Sequence, residues 1–149
     1  MPRLKITLPN SAIFNTVLQV RITDINYGHH LANDKVLGLV HEARLRCLQK
    51  FGFDEVNLGQ NNIGLVVGDA AIVYKSQGRW YDYLEVAVSV GDFHTYGCDF
   101  YYLLKNQKSQ TEVARAKTAI LAFDYKQQKL AILPDKFKQA LQQAEVAQA

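Results

Sequence analysis

Only one long stretch of this chain spaces its apolar residues with a helical period, from about Asn33 or Asp34 to Phe51. At 100° per residue, Val36, Val40, Ala43, Cys47 and Phe51 share one side, flanked by Leu37 and Leu48. Lys35, Gly38, Glu42, Arg46 and Gln49 share the other side, and Gly52 follows as a C-cap. An isolated helix is marginal in water, so one of about five turns with this apolar stripe needs a broad surface to cover it.

The rest of the chain offers that surface as β-structure. A strand is expected from Phe14 to Thr23, with Leu18, Val20 and Ile22 on its buried side. Ile63 to Lys75 reads as one extended run with a bend at Gly68-Asp69. Tyr83 to Val90 alternates, with Leu84, Val86, Val88 and Val90 on one face; Gly97 to Leu104 and Thr111 to Asp124 follow. Ser76-Gln77-Gly78 and Asn106 to Gln110 are turn signals. A weak strand at Leu4 to Leu8 and a short helix at Asp135 to Ala144 complete the pattern. Short turns require antiparallel neighbours. One helix against one antiparallel sheet is an α+β domain, expected to take in all of residues 1–149 with its core between about Phe14 and Pro134.

Composition excludes several classes. At 149 residues, with 48% hydrophobic and 21% charged, the chain can bury a full core. No window approaches the roughly 20 apolar residues of a membrane span, and Met1-Pro2-Arg3-Leu4-Lys5 lacks a signal peptide's apolar stretch, so a cytoplasmic protein is expected. A net charge of +3 is too small and dispersed for nucleic acid. Cys47 and Cys98 lie far apart and read as buried free thiols. Metal-ligand spacings, a Gly-rich phosphate loop and a Gly-x-Ser-x-Gly elbow are all missing, so no metal or cofactor is expected.

Chemistry concentrates in Asp24-Ile25-Asn26-Tyr27-Gly28-His29-His30-Leu31-Ala32-Asn33-Asp34, between the strand end and the helix start. The first amides of a helix lack intrahelical partners and carry a partial positive charge, which suits a carbonyl oxygen becoming an oxyanion. The neighbouring His, Asn and Asp side chains suit a proton or a water. Each has a structural role beside the chemical one. Asn33 or Asp34 would cap the helix, Asp24 would end the strand, His30 would tie the loop to the sheet, and His29 would face solvent.

The segment resembles the Asp-x-Asp-x-x-Gly-His-x-Asn-Asn signature of the hotdog-fold acyl-CoA thioesterases of the 4-hydroxybenzoyl-CoA thioesterase type. Its first Asp falls on Asp24, its Gly-His on His29 and His30, and its Asn pair on Ala32 and Asn33. Its second Asp, the usual catalytic carboxylate, falls on Asn26, and an amide cannot take a proton. His41-Glu42-Ala43-Arg44, Arg79-Trp80-Tyr81-Asp82, Val113-Ala114-Arg115-Ala116 and Ile132-Leu133-Pro134 are similar to further family segments, from about Phe14 to Leu141. The resemblance implies a hotdog fold, one long helix wrapped by a curved antiparallel sheet. It implies hydrolysis of an acyl-CoA thioester, with coenzyme A as part of the substrate and not a cofactor, by a homodimer or homotetramer. Carrier-protein thioesters stay open as substrates.

Other hotdog thioesterases place a catalytic Glu on the long helix, which makes Glu42 the substitute base; a solvent-face pair with Arg46 is its plain reading. Asn26, His30, Glu42 and Asp34 are thus the candidate catalytic residues. Tyr27, Gly28, His29, Asn33, Arg79 and Trp80 are the candidate substrate contacts. Tyr81, Tyr83, Tyr101 and Tyr102 suit an acyl pocket or the core, and Arg115 and Lys117 suit coenzyme A phosphates or solvent. Gly38 inside the helix implies close approach of another backbone, such as a dimer partner's. A non-catalytic acyl-CoA or lipid-binding module, and a hotdog hydratase or dehydratase, are the alternatives.

Overall fold

The structure, a computed structural model, describes residues 3 to 148; residues 1, 2 and 149 of the expected domain lie outside the described residues. Strand β1 (Phe14–Gln19) leads through a loop into helix α1 (Val36–Lys50). Strands β2 (Ile63–Tyr74), β3 (Tyr83–His94), β4 (Gly97–Asn106) and β5 (Glu112–Asp124) follow, then the short β6 (Lys129–Leu130) and helix α2 (Asp135–Gln148). All strand pairs are antiparallel.

Helix α1 buries Val36, Leu39, Val40, Ala43, Arg44, Cys47 and Leu48. It lies against the face carrying Leu84, Val86, Val88, Val90, Phe100, Tyr102, Leu104, Ala114, Ala116 and Ile120, each at most 0% exposed. The small Ala114, Ala116 and Ala122 on β5 sit in the same core as the bulky Phe100 and Tyr102 of β4, so large and small side chains interdigitate. A Schellman motif closes α1. Gly52 stands at φ 85°, its amide donates to Gln49 O at 3.1 Å and that of Phe53 to Leu48 O at 2.9 Å. Beyond it, Phe53 meets Phe137 of α2 edge to face at 5.1 Å, which seals that end of the core. Burial pushes the Cys47 thiol up to about 12 and that of Cys98 higher still, so both are inert protonated thiols, as expected.

Several details depart from the sequence reading. β1 ends at Gln19, and Ile22, expected inside, is 64% exposed. The reason is a 3-10 turn, Ile22–Asp24, in which Asp24 Oδ2 folds back to accept from the Arg21 amide at 2.9 Å and breaks the alternation. Leu4 to Leu8 forms no strand; it runs as a strap, where Arg115 Nη1 donates to Ile6 O at 3.1 Å. α2 continues to Gln148, beyond the expected end at Ala144.

The sheet order is β1-β3-β4-β5-β2, so the consecutive strands β2 and β3 are not neighbours. The segment between them first follows β5, with the Lys75 and Ser76 amides on Val113 O, and then passes the helix start. A short connection restricts distance and not pairing, and the curl of the sheet brings its edges within reach. The bend expected at Gly68-Asp69 is a register shift between Val67 and Asp69. At Gly38 no other backbone approaches within the protomer: a Cβ there meets nothing within 4 Å. No described helix is long and apolar enough to cross a membrane.

Candidate active site

The end of β1, the end of β2 and the start of β3 converge on the N-terminal end of α1. The Val20 amide donates to Asp82 O at 2.8 Å, Leu31 to Gly78 O at 2.7 Å, and Tyr74 Oη to Asn33 O at 2.9 Å. Between these anchors residues 25–31 form a closed loop, pinched by an antiparallel bridge between Ile25 and Leu31.

The loop is wound around one side chain. Asn26 Oδ1 accepts from the amides of Gly28 at 3.0 Å and His30 at 3.1 Å. The Asn26 amide donates to His30 O at 2.9 Å, and the His29 amide to Asn26 O at 3.1 Å. His29 takes the left-handed region, φ 68°. Turning the Asn26 amide over would set its NH2 against two N–H donors and forfeit two hydrogen bonds, about 1–3 kcal/mol. Gly28 packs against the His30 ring: a Cβ there would lie 3.0 Å from His30 Cε1, so the ring would have to give by a few tenths of an ångström. Asn26, Gly28 and His29 are exposed, Tyr27 is fully so, and His30 is half-buried.

The helix start differs from expectation. Asn33, Asp34 and Lys35 form a 3-10 turn, and neither the Asn33 nor the Asp34 side chain caps it or α1. The Lys35 amide bonds Ala32 O at 3.0 Å, whereas those of Asn33 and Asp34 meet no acceptor among the described residues. Two helix-end donors thus open beside the Asn26–His30 loop. Asp24 is buried and already engaged by Arg21, so it holds the turn.

Glu42 lies about 9 Å further along the axis than Val36, at 1.5 Å per residue, and makes no hydrogen bond to Asn26, His30 or Asp34. Arg46 Nε donates to its Oε2 at 3.0 Å, and Arg46 Nη1 reaches Thr16 Oγ1 and Val17 O at 2.9 and 3.3 Å. Glu42 faces a cavity of about 280 Å³ between α1 and the β1 edge, together with Arg21, Gly38 and Arg46. The expected solvent-side pair is therefore formed, but over a concavity.

Arg79, Trp80, Tyr81 and Tyr83 lie at the same end of the sheet as the loop. The Arg79 amide is tied to Asp82 Oδ2 at 2.9 Å, and Trp80, Tyr81 and Tyr83 are 56%, 62% and 48% exposed. Their rings meet edge to face, Trp80 to Tyr81 at 5.6 Å and Tyr81 to Tyr83 at 6.5 Å. Other candidates fall elsewhere. Tyr102 is core, bonded to Thr118 Oγ1 at 2.9 Å. Tyr101, Arg115 and Lys117 alternate with the buried positions of their strands, and Asp92, Glu112 and Asp69 occupy them. Among the described residues no group of three or more His, Cys, Asp or Glu side chains is arranged to hold a metal ion.

Two features escaped the sequence reading. Tyr74 roofs the helix start, and nothing in a β pattern marks it. Arg44 is buried, donating to Tyr102 Oη and Glu55 Oε2, both at 3.3 Å, while Glu55 Oε1 pairs with His41 Nε2 at 2.5 Å. The i, i+4 series Val40, Arg44, Leu48 places Arg44 on the apolar side and was a readable signal.

A long helix in a curled antiparallel sheet, with open helix-end amides and an Asn-Gly-His loop before them, defines the hotdog class. The chain belongs to the thioesterase-like superfamily, whose family model matches residues 20–141. No curated protein matches it. Among solved structures it is similar to a 1,4-dihydroxy-2-naphthoyl-CoA thioesterase from Synechocystis, at 21% identity and TM-score 0.78, over 86% of this chain and 94% of that one. A Staphylococcus aureus protein solved in complex with CoA superposes with TM-score 0.83 at 12% identity, over 96% and 90% of the two chains. A DHNA-CoA thioesterase from Staphylococcus aureus gives TM-score 0.76 at 17% identity, over 89% and 88%.

Proposed function

We propose that this chain hydrolyses acyl-CoA thioesters to the free acid and coenzyme A, acting as an assembly of at least two copies. The observation that carries the reading is the pair of unpartnered amides at Asn33 and Asp34, open beside the Asn26–His30 loop in a thioesterase-family fold. The CoA found with a neighbour of the same fold supports the substrate class.

The thioester carbonyl sits at these amides, which stabilise the charge that grows on its oxygen. Asn26 and His30 border the carbonyl, and Tyr27, Gly28, His29, Arg79 and Trp80 border the rest of the substrate. Water attacks the carbonyl carbon as Glu42, oriented by Arg46, takes its proton. The tetrahedral intermediate collapses, the C–S bond breaks, and the proton passes to the departing thiolate of coenzyme A. Asp34, at the helix start itself, is the alternative base. A second copy completes the walls. The start of edge strand β2 is covered by the segment before it, Leu58 N on Ile63 O at 2.9 Å and Leu65 N on Glu55 O at 2.8 Å, whereas residues 66–74 carry one charge, Asp69, and exposed Val67 and Tyr74, an edge left open to pairing. The β1 edge is blunted by Arg46 on Val17 O.

Thiol release across short, long and aromatic acyl-CoAs tests the reading, with at least one substrate hydrolysed above background. Glu42→Gln and Asn26→Ala are each expected to lower turnover at least tenfold, about 1.4 kcal/mol; normal turnover in Glu42→Gln removes Glu42 from the mechanism. A non-catalytic acyl-CoA-binding module is the second reading, favoured by the amide where the family carries its carboxylate. Tight binding without thiol release from any substrate selects it.

A further inference from the structure

Nothing in the packing of the protomer calls for a glycine at position 38. Gly38 sits inside α1, where glycine is the least favourable residue after proline. It is exposed, and a Cβ there would meet nothing within 4 Å. The missing side chain opens into the cavity of about 280 Å³ between α1 and the β1 edge. Leu18 and Leu39, each 5% exposed, give that cavity an apolar inner wall. Glu42 and Arg46 follow Gly38 in one i, i+4 row of the helix and line the same cavity. Arg46 is pinned by its bonds to Glu42, Thr16 and Val17 O, so the far end of the row is a fixed wall. The Gly38 end has no side chain at all.

That gap falls between the two ends of the proposed chemistry. Gly38 stands about 6 Å before Glu42 along the axis and about one turn past the open Asp34 amide. A carbonyl at that amide and a base at Glu42 leave the acyl group to lie over the helix surface between them, and Gly38 is that surface. The cavity also exceeds what one attacking water needs, about 30 Å³. We infer that the acyl group lies in this cavity and that Gly38 determines which acyl groups enter it. This rests on the thioesterase reading and deepens it. The room left by the absent side chain admits a group that is wide next to the carbonyl, such as an aromatic ring. A side chain at position 38 would strengthen the helix, fill that room and leave the cavity to straight chains.

The test is equilibrium binding, which does not need turnover. Two stable acyl-CoA analogues, in which CH2 replaces the thioester sulfur and the ketone is kept, are titrated by calorimetry: one hexanoyl, one benzoyl. Gly38→Ala and Gly38→Leu are compared with the wild type, and urea midpoints and sedimentation masses accompany the titrations. Both variants are expected to keep the wild-type mass and a midpoint no lower than its own, since the added Cβ has room and either residue is the better helix former. Gly38→Leu should weaken the benzoyl analogue by about tenfold or more relative to the hexanoyl one, and Gly38→Ala by about threefold. An unchanged ratio of the two affinities in Gly38→Leu overturns the inference, as does a wild type that binds neither analogue. A lower mass in Gly38→Leu also overturns it and gives the glycine to a contact between copies. Should the Leu variant not fold, the ratio in the Ala variant decides alone. If the ratio shifts yet no acyl-CoA yields thiol, hydrolysis falls and the role of Gly38 stands. If thiol is released and the ratio does not shift, Gly38 falls and hydrolysis stands.

Discussion

Gly97→Ala is expected to destabilise the protein by at least about 3 kcal/mol, or to prevent folding altogether. Gly97 opens β4 and pairs with Leu121 of β5 and His94 of β3. A Cβ there would lie 1.9 Å from Ile120 O, 3.0 Å from the carbon of that carbonyl and 3.1 Å from Leu121 Cα. These are backbone atoms of a strand paired on both sides, so no side-chain rotation relieves the clash. The measurement is the urea unfolding midpoint, and a midpoint equal to that of the wild type would show that β5 yields at this point. Gly38→Ala is the matched contrast. Its Cβ meets nothing within 4 Å, and replacing a helix-interior glycine should stabilise an isolated protomer by about 1 kcal/mol.

The second large effect is at Arg44, whose side chain is 6% exposed. Arg44→Ala is expected to cost about 3 kcal/mol, the low end of what breaking a buried ion pair costs, because its partner Glu55 keeps 22% exposure and a contact to His41. The deletion also leaves a void beside Tyr102. Arg44→Met breaks the same pair but fills that volume, and should cost about 1–2 kcal/mol less than Arg44→Ala. The buried Nε of Arg44 has no partner, so methionine also removes an unsatisfied donor. Equal midpoints for the Ala and Met variants would mean that the volume at this position does not matter. Burial raises the Tyr102 phenol, with the Arg44 guanidinium pulling against that rise, so the hydroxyl stays protonated in both variants.

Much of the fold was written in local pattern. The α1 stripe Val36, Val40, Ala43 and Cys47 is buried as its spacing required, and so is the Leu84, Val86, Val88, Val90 face of β3. The helix stop at Gly52 and the bend near Gly68 were legible for the same reason, since both are short-range backbone events. The Ile22–Asp24 turn was not, because an exposed Ile after alternating Leu18 and Val20 looks like one more strand residue. The spacing from Val40 and Leu48 puts Arg44 on the apolar side, but spacing alone does not show that Tyr102 and Glu55 stand ready to receive a cation.

The residues of the candidate site were visible as a cluster, Asn26 to Asp34, because loop and helix start are contiguous. What each atom offers was not visible. Whether Asn33 and Asp34 cap the helix with their side chains or leave their amides open depends on a 3-10 turn held by Tyr74 at the end of β2 and approached by Gly78 in the β2–β3 connection. Whether Asn26 shows its oxygen or its nitrogen depends on where two backbone amides point. Sequence by itself settled the period of each element and hence the α+β class, because amphipathic spacing is a property of neighbours along the chain. The order β1-β3-β4-β5-β2, the roof over the helix start and the direction of the Asn26 amide were decided only in three dimensions. The strand order and the roof arise from pairings between residues dozens of positions apart, and the Asn26 amide from where the Gly28 and His30 amides point, none of which an apolar spacing records.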